Sequence, residues 1–191
     1  WEDANLPPHI AEGMTRGFEV ETEVAPGNFE IPQYPWPSGE ALKECICETN
    51  RGLAVGSMEY VPDDEVQLVR QRLGVHPWTV AMKPKPRACW DLTATNETTR
   101  SVPFGLPSVW DAAKVVGPDS HFCKYDLRDG FWSCPIRPKS RNLLVMRHPA
   151  TGRLVRPARL PFGWKLSPFL FCGLTEALAQ ELRRRLAGQG V

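Results

Sequence analysis

The sequence predicts a protein that contains both α-helices and β-strands. Hydrophobic residues make up 42% of the 191 residues, which is enough to bury a core. Apolar residues recur at helical spacing in several segments, and short β-branched or aromatic runs bounded by turn residues lie between them. Residues 1–40 are the exception, because they are rich in Pro and Glu and show little periodicity. We expect these residues to form an extended lead-in.

The first helices and strands follow this lead-in. Ser38 stands where it can cap a helix over residues 39–51, and Gly52 is expected to end that helix. The apolar spacing predicts a shorter helix over residues 63–73. The segments WTVAM and RACWDL then flank the turn KPKP, so they predict a β-hairpin.

Further helices and strands are predicted in the second half of the chain. We expect a short helix over residues 108–116, a strand over residues 121–127 and a hairpin around the turn at residues 150–152. The clearest helix starts with Ser167 as its cap and runs to about residue 186. Its predicted apolar stripe comprises Leu170, Leu174, Ala177, Leu178 and Leu182.

Several classes of protein are disfavoured by composition. No apolar run is long enough to span a bilayer and the N-terminus lacks the blocks of a signal peptide, so we expect an intracellular protein with no membrane partner. The six cysteines show no CxxC pair and no histidine at zinc spacing. We expect free, mostly buried thiols, with a metal site at Cys45 and Cys47 as an alternative.

The charge is distributed unevenly along the chain. Residues 1–75 carry 14 acidic and 5 basic side chains, a net charge of −9, whereas residues 76–191 carry 8 acidic and 18 basic side chains, a net charge of +10. A basic half suggests contact with a polyanion, and a solvated basic surface is the equal alternative on charge alone.

Three sequence blocks carry the candidate chemistry, in the absence of the GxSxG, GxxxxGK[ST] and HExxH motifs. The blocks are KPRACWDLTATN at residues 85–96, KYDLRDGFWSCPI at residues 124–136 and RLPFGWKLSPFLFCGLTEAL at residues 159–178. Taken one at a time, they also fit a solvated turn, a capped turn after a strand and a capped amphipathic helix. Their order and spacing together are far more specific.

In combination, the blocks resemble the fingers and palm motifs of reverse transcriptases. The resemblance covers about residues 75–186 and implies an α+β fold of the right-hand polymerase type. It implies that residues 41–100 and 134–166 belong to the fingers. Residues 101–133 would then form the first part of the palm, and residues 167–191 a palm helix.

The resemblance also implies roles for individual residues. Asp126 matches the carboxylate that binds catalytic metal ions, and Phe131 matches the aromatic residue under the nucleotide sugar. Nucleotide-binding positions are matched by Lys83, Arg87, Asp129, Gly130, Phe162, Gly163 and Lys165. Lys83 departs from the retroviral spacing. Phe162 stands where retroviral enzymes carry Gln, and the sequence LPFG is typical of Ty3/gypsy-like and DIRS-like retrotransposons.

The resemblance implies two Mg²⁺ ions, a dNTP and an RNA or DNA template–primer as cofactor and partners. However, the [FY]xDD motif that supplies further catalytic carboxylates does not occur in the sequence. We therefore expect a fragment that lacks the rest of the palm, the thumb and the RNase H part and is inactive alone. The sequence starts at Trp1 and not at Met, so we also expect it to begin inside a longer open reading frame. A non-catalytic nucleic-acid-binding module derived from a retroelement is the alternative hypothesis.

Overall fold

The computed structural model describes residues 6–22, 29–33, 35–69, 74–82, 84, 86–106, 108–114, 116–121 and 126–187. Within this part of the chain there are six α-helices and seven β-strands. The helices are α1 Pro8–Arg16, α2 Gly39–Ala54, α3 Asp63–Val69, α4 Thr93–Thr98, α5 Val109–Ala113 and α6 Ser167–Ala187. The strands are β1 Phe29–Glu30, β2 Met58–Tyr60, β3 Gly74–His76, β4 Trp78–Ala81, β5 Arg87–Trp90, β6 Val145–Arg147 and β7 Leu154–Pro157.

Five strands form one mixed sheet in the order β1-β3-β6-β7-β2. The pairs β1–β3 and β3–β6 are parallel, whereas β6–β7 and β7–β2 are antiparallel. Strands β4 and β5 form a separate antiparallel hairpin in which Trp78 pairs with Trp90 and Ala81 with Arg87. Both predicted hairpins, β4–β5 and β6–β7, are therefore confirmed.

The main core lies among the sheet, the β4–β5 hairpin and the loop that precedes α6. Its largest fully buried side chains include Ile10, Leu92, Ile136, Leu144, Met146, Leu160 and Trp164. Helix α2 packs against β2 and β5, and α1 packs against α6. None of the described helices combines the length and apolarity that a membrane crossing requires.

The expectation of an extended segment over residues 1–40 is wrong for its first part. Residues 8–16 form helix α1, whose Ile10 is 1% exposed and approaches Gly173 of α6. Phe18 and Val20 are also buried, and Phe18 forms a β-bridge with Ile136. Isolated apolar residues in this Pro-rich segment thus belong to the core, because residues that are distant in sequence pack against them.

Helix α2 begins after Ser38 as predicted, although the Ser38 side chain makes no capping hydrogen bond. It does not end at Gly52 but continues to Ala54. Gly52 serves packing and not helix termination, since a Cβ atom at this position would lie 2.7 Å from the side chain of Met58 in β2. The glycine leaves room beside α2 for that side chain.

The remaining helices differ from their predictions mainly at the ends. Helix α3 reaches Val69, and the predicted residues 70–73 lie outside the described part of the chain. Helix α5 has the capping box of Ser108 and Asp111 but ends at Ala113. Helix α4 was not predicted, because the segment TATNET is rich in β-branched residues with low helix propensity.

Two further secondary-structure predictions are the strand over residues 121–127 and the helix that begins at Ser167. Most of the strand predicted over residues 121–127 lies outside the described residues, and its described ends, at residues 121 and 126–127, are not in a strand. Helix α6 covers the predicted range, but its apolar stripe is only partly buried. Leu174 and Ala177 are inaccessible, whereas Leu178 is 38% and Leu182 57% exposed.

The cysteines match their prediction in part. Cys45 and Cys134 are fully buried, and burial raises the pKa of each thiol to about 11. Cys89 and Cys172 are half-buried and Cys47 is exposed, and all five are free thiols. Cys123 lies outside the described residues.

Candidate nucleotide site

A groove of about 370 Å³ lies where the turn at residues 126–131 meets the loop before α6 and the first turns of α6 itself. It is lined by Asp126, Leu127, Gly130, Phe131, Phe162, Phe171 and Thr175. Four of the residues that the sequence predicts for the site therefore line the same groove, and they are Asp126, Gly130, Phe131 and Phe162. Two segments that are far apart in the chain supply them.

The turn just before Gly130 has an unusual backbone. Asp129 adopts φ 53° and ψ 39°, the left-handed conformation that Asp and Asn tolerate better than other non-glycine residues. A 3₁₀ helix, Gly130–Ser133, follows directly, and the Trp132 N–H donates to the Asp129 carbonyl oxygen at 2.8 Å. The first N–H groups of this short helix have no acceptor within it and are thus available to other groups.

Three aromatic rings form the apolar side of the groove. The Phe131 ring lies 5.0 Å from the Phe162 ring and 5.3 Å from the Phe171 ring, measured between centroids. These distances fall in the range of favourable aromatic pairs. Gly130 permits the arrangement, because a Cβ atom there would lie 2.5 Å from the Phe171 ring. Phe131 is consequently fixed between a loop residue and a helix residue.

The loop before α6 is held close to the β4–β5 hairpin. Gly163 has φ 98°, and a Cβ atom at this position would lie 2.4 Å from the Trp90 carbonyl oxygen. The Asn96 side chain fastens the loop from its other side, donating to the Gly163 carbonyl oxygen at 2.8 Å and accepting from the Lys165 N–H at 2.9 Å. Asn96 thus fixes both the glycine and the lysine of the LPFGWK segment.

The other predicted site residues that the structure describes do not line the groove. Lys165 is in the adjacent loop, where its Nζ atom lies 3.3 Å from the Ser101 hydroxyl. Arg87 is exposed at the start of β5 and, within the described part of the chain, makes no ion pair. The Asp129 carboxylate accepts from Arg51 at 2.8 and 2.9 Å. Lys83 lies outside the described residues.

Comparison with known proteins decides the family. A profile of the family described as reverse transcriptase (RNA-dependent DNA polymerase) matches residues 75–190, which is more than half of the chain. The chain belongs to the reverse transcriptase family. The matched segment contains all three sequence blocks and every predicted site residue.

Viral polyproteins are similar to this reverse transcriptase segment. The Pol polyprotein of Feline endogenous virus ECE1 is 31% identical over 118 residues, which are 56% of this chain and 11% of the polyprotein. The Gag-Pol polyprotein of Baboon endogenous virus (strain M7) is 31% identical over 119 residues, 56% of this chain and 7% of the polyprotein. Polyprotein P3 of Commelina yellow mottle virus is 29% identical over 105 residues, 54% of this chain and 6% of the polyprotein.

A solved structure supports the fold over most of the chain. The foamy viral protease-reverse transcriptase, in a complex with double-stranded DNA, matches with a TM-score of 0.63 and 21% identity. The match covers 88% of this chain and 26% of the foamy viral chain. The α+β polymerase-type fold is therefore shown, and this reverse transcriptase segment spans a small part of each protein that it matches.

The described residues do not form a complete metal site. Reverse transcriptases generally use divalent metal ions, and carboxylates are the ligands that Mg²⁺ prefers. Asp126 is exposed in the groove, but no group of three His, Cys, Asp or Glu side chains that could hold a metal occurs among the described residues. The same finding gives no support to a metal site at Cys45 and Cys47. One carboxylate does not suffice to hold two ions.

Ion pairs between the two halves of the chain use much of the uneven charge. Five basic residues of the second half pair with glutamates of the first half, and they are Arg137, Lys139, Arg141, Arg147 and Arg156. Arg156 is the most buried of them, bonded to Glu59 at 2.6 Å and to Glu65 at 2.5 Å. The net charge of +10 after residue 75 therefore overstates the basic surface that is available to a polyanion.

Three residues that line the groove, Leu127, Phe171 and Thr175, and one residue that contacts its turn, Arg51, were not among the predicted site residues. Phe171 and Thr175 lie one helical turn apart on α6, and their spacing with Ser167 could have placed them on the same face. Arg51 lies on α2, upstream of every sequence block, and nothing in the local sequence indicates its contact with Asp129.

Proposed function

We propose that this chain is part of the RNA-directed DNA polymerase of a retroelement and that the groove binds the incoming dNTP. The observation that carries the proposal is the meeting of Asp126, Phe131 and Phe162 in one groove. These residues bring a carboxylate and two aromatic rings to the lining of one groove. A nucleotide has the matching arrangement of a charged triphosphate, a sugar and a flat base.

Each part of the groove has a proposed role. Asp126 is proposed as a metal ligand, with Mg²⁺ supplying, when bound, activation of the primer hydroxyl and neutralisation of triphosphate charge. The first N–H groups of the turn at Asp129 and Gly130 are proposed to face phosphate oxygens. Phe131 is proposed to pack under the sugar, where it excludes a 2′-hydroxyl.

The neighbouring elements supply the remaining proposed contacts. Arg87, in strand β5, and Lys83 are proposed to bind the triphosphate. The guanidinium group of Arg87 suits this task because it has a fixed set of donors. Phe162, Gly163 and Lys165 are proposed to contact the nucleotide and the templating base. The close approach of Gly163 to Trp90 supports this proposal, because Trp90 lies in the hairpin that carries Arg87. The hydrogen bonds from Asn96 hold the same loop to helix α4.

An RNA or DNA template–primer is the proposed macromolecular partner. The similarity to a reverse transcriptase in complex with double-stranded DNA supports it. The family membership favours a polymerase segment over the alternative of a non-catalytic nucleic-acid-binding module. The segment LPFG further supports an origin in a Ty3/gypsy-like or DIRS-like retrotransposon.

The division into subdomains is also proposed. We assign residues 41–100 and 134–166 to the fingers, and residues 101–133 with 167–191 to the palm. Residues 8–16 are no longer assigned to an extended lead-in. They form helix α1, which packs against α6, the proposed palm helix.

A titration of the 191-residue chain with dTTP and Mg²⁺, followed by backbone amide NMR, tests the nucleotide site. We expect weak binding, with a Kd on the order of 1 mM, because the carboxylate set is incomplete. The amides of Gly130, Phe131, Gly163 and Lys165 should shift with a common midpoint. A separate cavity of about 460 Å³ is lined by residues that include Glu12 of α1 and Leu170 of α6. Shifts confined to that cavity, or no shifts at any dTTP concentration, would contradict the proposal.

A further inference from the structure

Arg51 of α2 contacts two residues of the turn in the proposed nucleotide site and one residue of its own helix. Its Nη1 atom donates to both carboxylate oxygens of Asp129, at 2.8 and 2.9 Å. Its guanidinium carbon lies 4.1 Å from the centroid of the Trp132 ring. Glu48, one turn earlier on α2, accepts from the Nε and Nη2 atoms at 3.2 Å each. Glu48 thereby holds one edge of the guanidinium group, Asp129 holds the Nη1 atom, and the Trp132 ring covers one face.

The contacts with Asp129 and Trp132 lie on either side of Gly130 and Phe131, and they include the residue of the turn with the least favourable backbone conformation. Asp129 has the left-handed conformation that side chains other than glycine rarely adopt, so it needs interactions that offset its cost. Trp132 closes the following 3₁₀ helix by donating its N–H to the Asp129 carbonyl oxygen. Arg51 therefore contacts both ends of the short segment that carries Gly130 and Phe131.

We propose that Arg51 is a positioning residue for the nucleotide site, holding the turn at residues 129–132 in the conformation that aims the Gly130 N–H and the Phe131 ring into the groove. The inference rests on the proposed function for its consequence, namely dNTP affinity. Its structural part, the holding of the turn, is independent of that function. Arg51 lies outside residues 75–190, so the family match itself gives it no role.

Amide hydrogen exchange in the 191-residue chain measures the holding of the turn directly. We expect Arg51→Gln to speed exchange of the Trp132 N–H about tenfold, a factor in keeping with the loss of an ion pair and a cation–π contact. The His148 N–H, which donates to the Arg153 carbonyl oxygen at 2.8 Å in another hairpin, should be unaffected. The variant should fold, because the Asp129 side chain is 36% exposed and is not left buried without a partner.

Arg128→Gln is the matched control for charge. Arg128 is adjacent in sequence to Asp129 and lies 3.8 Å from the same carboxylate, but its side chain is 94% exposed. The control removes one positive charge near the turn without removing a fixed contact. Equal acceleration of Trp132 exchange in Arg51→Gln and Arg128→Gln, or none in either, would overturn the inference.

A double-mutant cycle tests whether Arg51 acts through Asp129. Asp129→Asn removes the carboxylate charge while keeping a residue that tolerates the left-handed conformation. If the two residues act as a pair, adding Arg51→Gln to Asp129→Asn should accelerate Trp132 exchange much less than Arg51→Gln does in the original chain. Strictly additive effects would show that Arg51 does not act through this carboxylate.

The dTTP titration with Mg²⁺ gives the readout that a merely structural role would leave unchanged. We expect Arg51→Gln to weaken dTTP binding about fivefold, and Arg51→Lys to recover part of the loss because it keeps the charge but not the planar stack. Arg128→Gln should bind dTTP more tightly than Arg51→Gln does. Unchanged affinity in Arg51→Gln would contradict the positioning role. If the original chain binds no dTTP, the proposed function fails, and the exchange measurements alone decide whether Arg51 holds the turn.

Discussion

At the scale of single residues, Gly163 shows how closely two backbones approach beside the groove. Its φ of 98° disfavours any other residue, and a Cβ atom would also meet the Trp90 carbonyl oxygen at 2.4 Å. Gly152 shares the positive φ, at 70°, but has open space around the Cβ position. The pair therefore separates the cost of the conformation from the cost of the close approach.

We predict that Gly152→Ala lowers the free energy of unfolding by about 1 kcal/mol, the cost of a left-handed alanine. Gly163→Ala should lower it by about 2 kcal/mol more, because backbone atoms have to move apart. Urea denaturation of both variants checks this prediction. Equal losses would show that the contact with Trp90 is not tight.

Phe131 is the residue on which sugar selection is proposed to depend. Its ring is fixed between Phe162 and Phe171, so it has little freedom to move away from a larger sugar. In an active polymerase that contains this segment, we predict that Phe131→Val raises ribonucleotide incorporation relative to deoxyribonucleotide incorporation by about tenfold or more. Phe104→Val is a suitable control, since Phe104 is 42% exposed and not part of the groove. An unchanged ratio for Phe131→Val would remove Phe131 from the sugar pocket.

At the scale of secondary-structure elements, helix α1 is the clearest test of the fold. Ile10 is 1% exposed and reaches the small space that Gly173 leaves on α6. We predict that Ile10→Ala lowers the free energy of unfolding by about 3 kcal/mol, as for other large-to-small changes in a core. Val109→Ala, at a site that is 83% exposed on α5, should change it by less than about 0.5 kcal/mol. Similar small changes in both variants would mean that α1 does not stabilise the domain.

The elements that the sequence predicted well are those whose determinants are local. Two hairpins and helix α6 follow from alternation, turn residues and a capped amphipathic run, all of which act over a few residues. Helix α4 depends on a distant contact, since the Thr95 hydroxyl donates to the Leu143 carbonyl oxygen at 3.1 Å. Helix α1 depends likewise on α6. Local propensity carries no information about such contacts.

The candidate site shows the same division. The sequence blocks identified Asp126, Phe131 and Phe162, which the groove brings together. They did not reveal that the Asp129 side chain points to Arg51, because that contact joins residues 78 positions apart. The left-handed backbone at Asp129 is equally invisible in the sequence. Short motifs thus indicate the chemistry of this site, and long-range contacts determine its shape.

At the scale of the whole molecule, the uneven charge serves the fold as well as any partner. Glu12, Glu19, Glu30, Glu59 and Glu65 of the first half all pair with basic residues of the second half. Apart from the pairs of the buried Arg156, these ion pairs are partly exposed and contribute little individually, but together they neutralise much of the opposing charge. Arg87 and Lys165 make no ion pair within the described residues and so are the stronger candidates for contact with phosphates.

We propose that Asp126 is a metal-binding carboxylate of a reverse transcriptase active site. Primer extension with an active polymerase that contains this segment together with an [FY]xDD hairpin tests this role. We predict that Asp126→Asn lowers the rate by about a thousandfold or more, because lost metal binding removes several kcal/mol of transition-state stabilisation. Duplex DNA affinity should stay within about twofold, since the basic surface is unchanged. Asp119→Asn, at an exposed position earlier in the same segment, should retain full activity. A fully active Asp126→Asn enzyme would show that the catalytic carboxylate lies elsewhere.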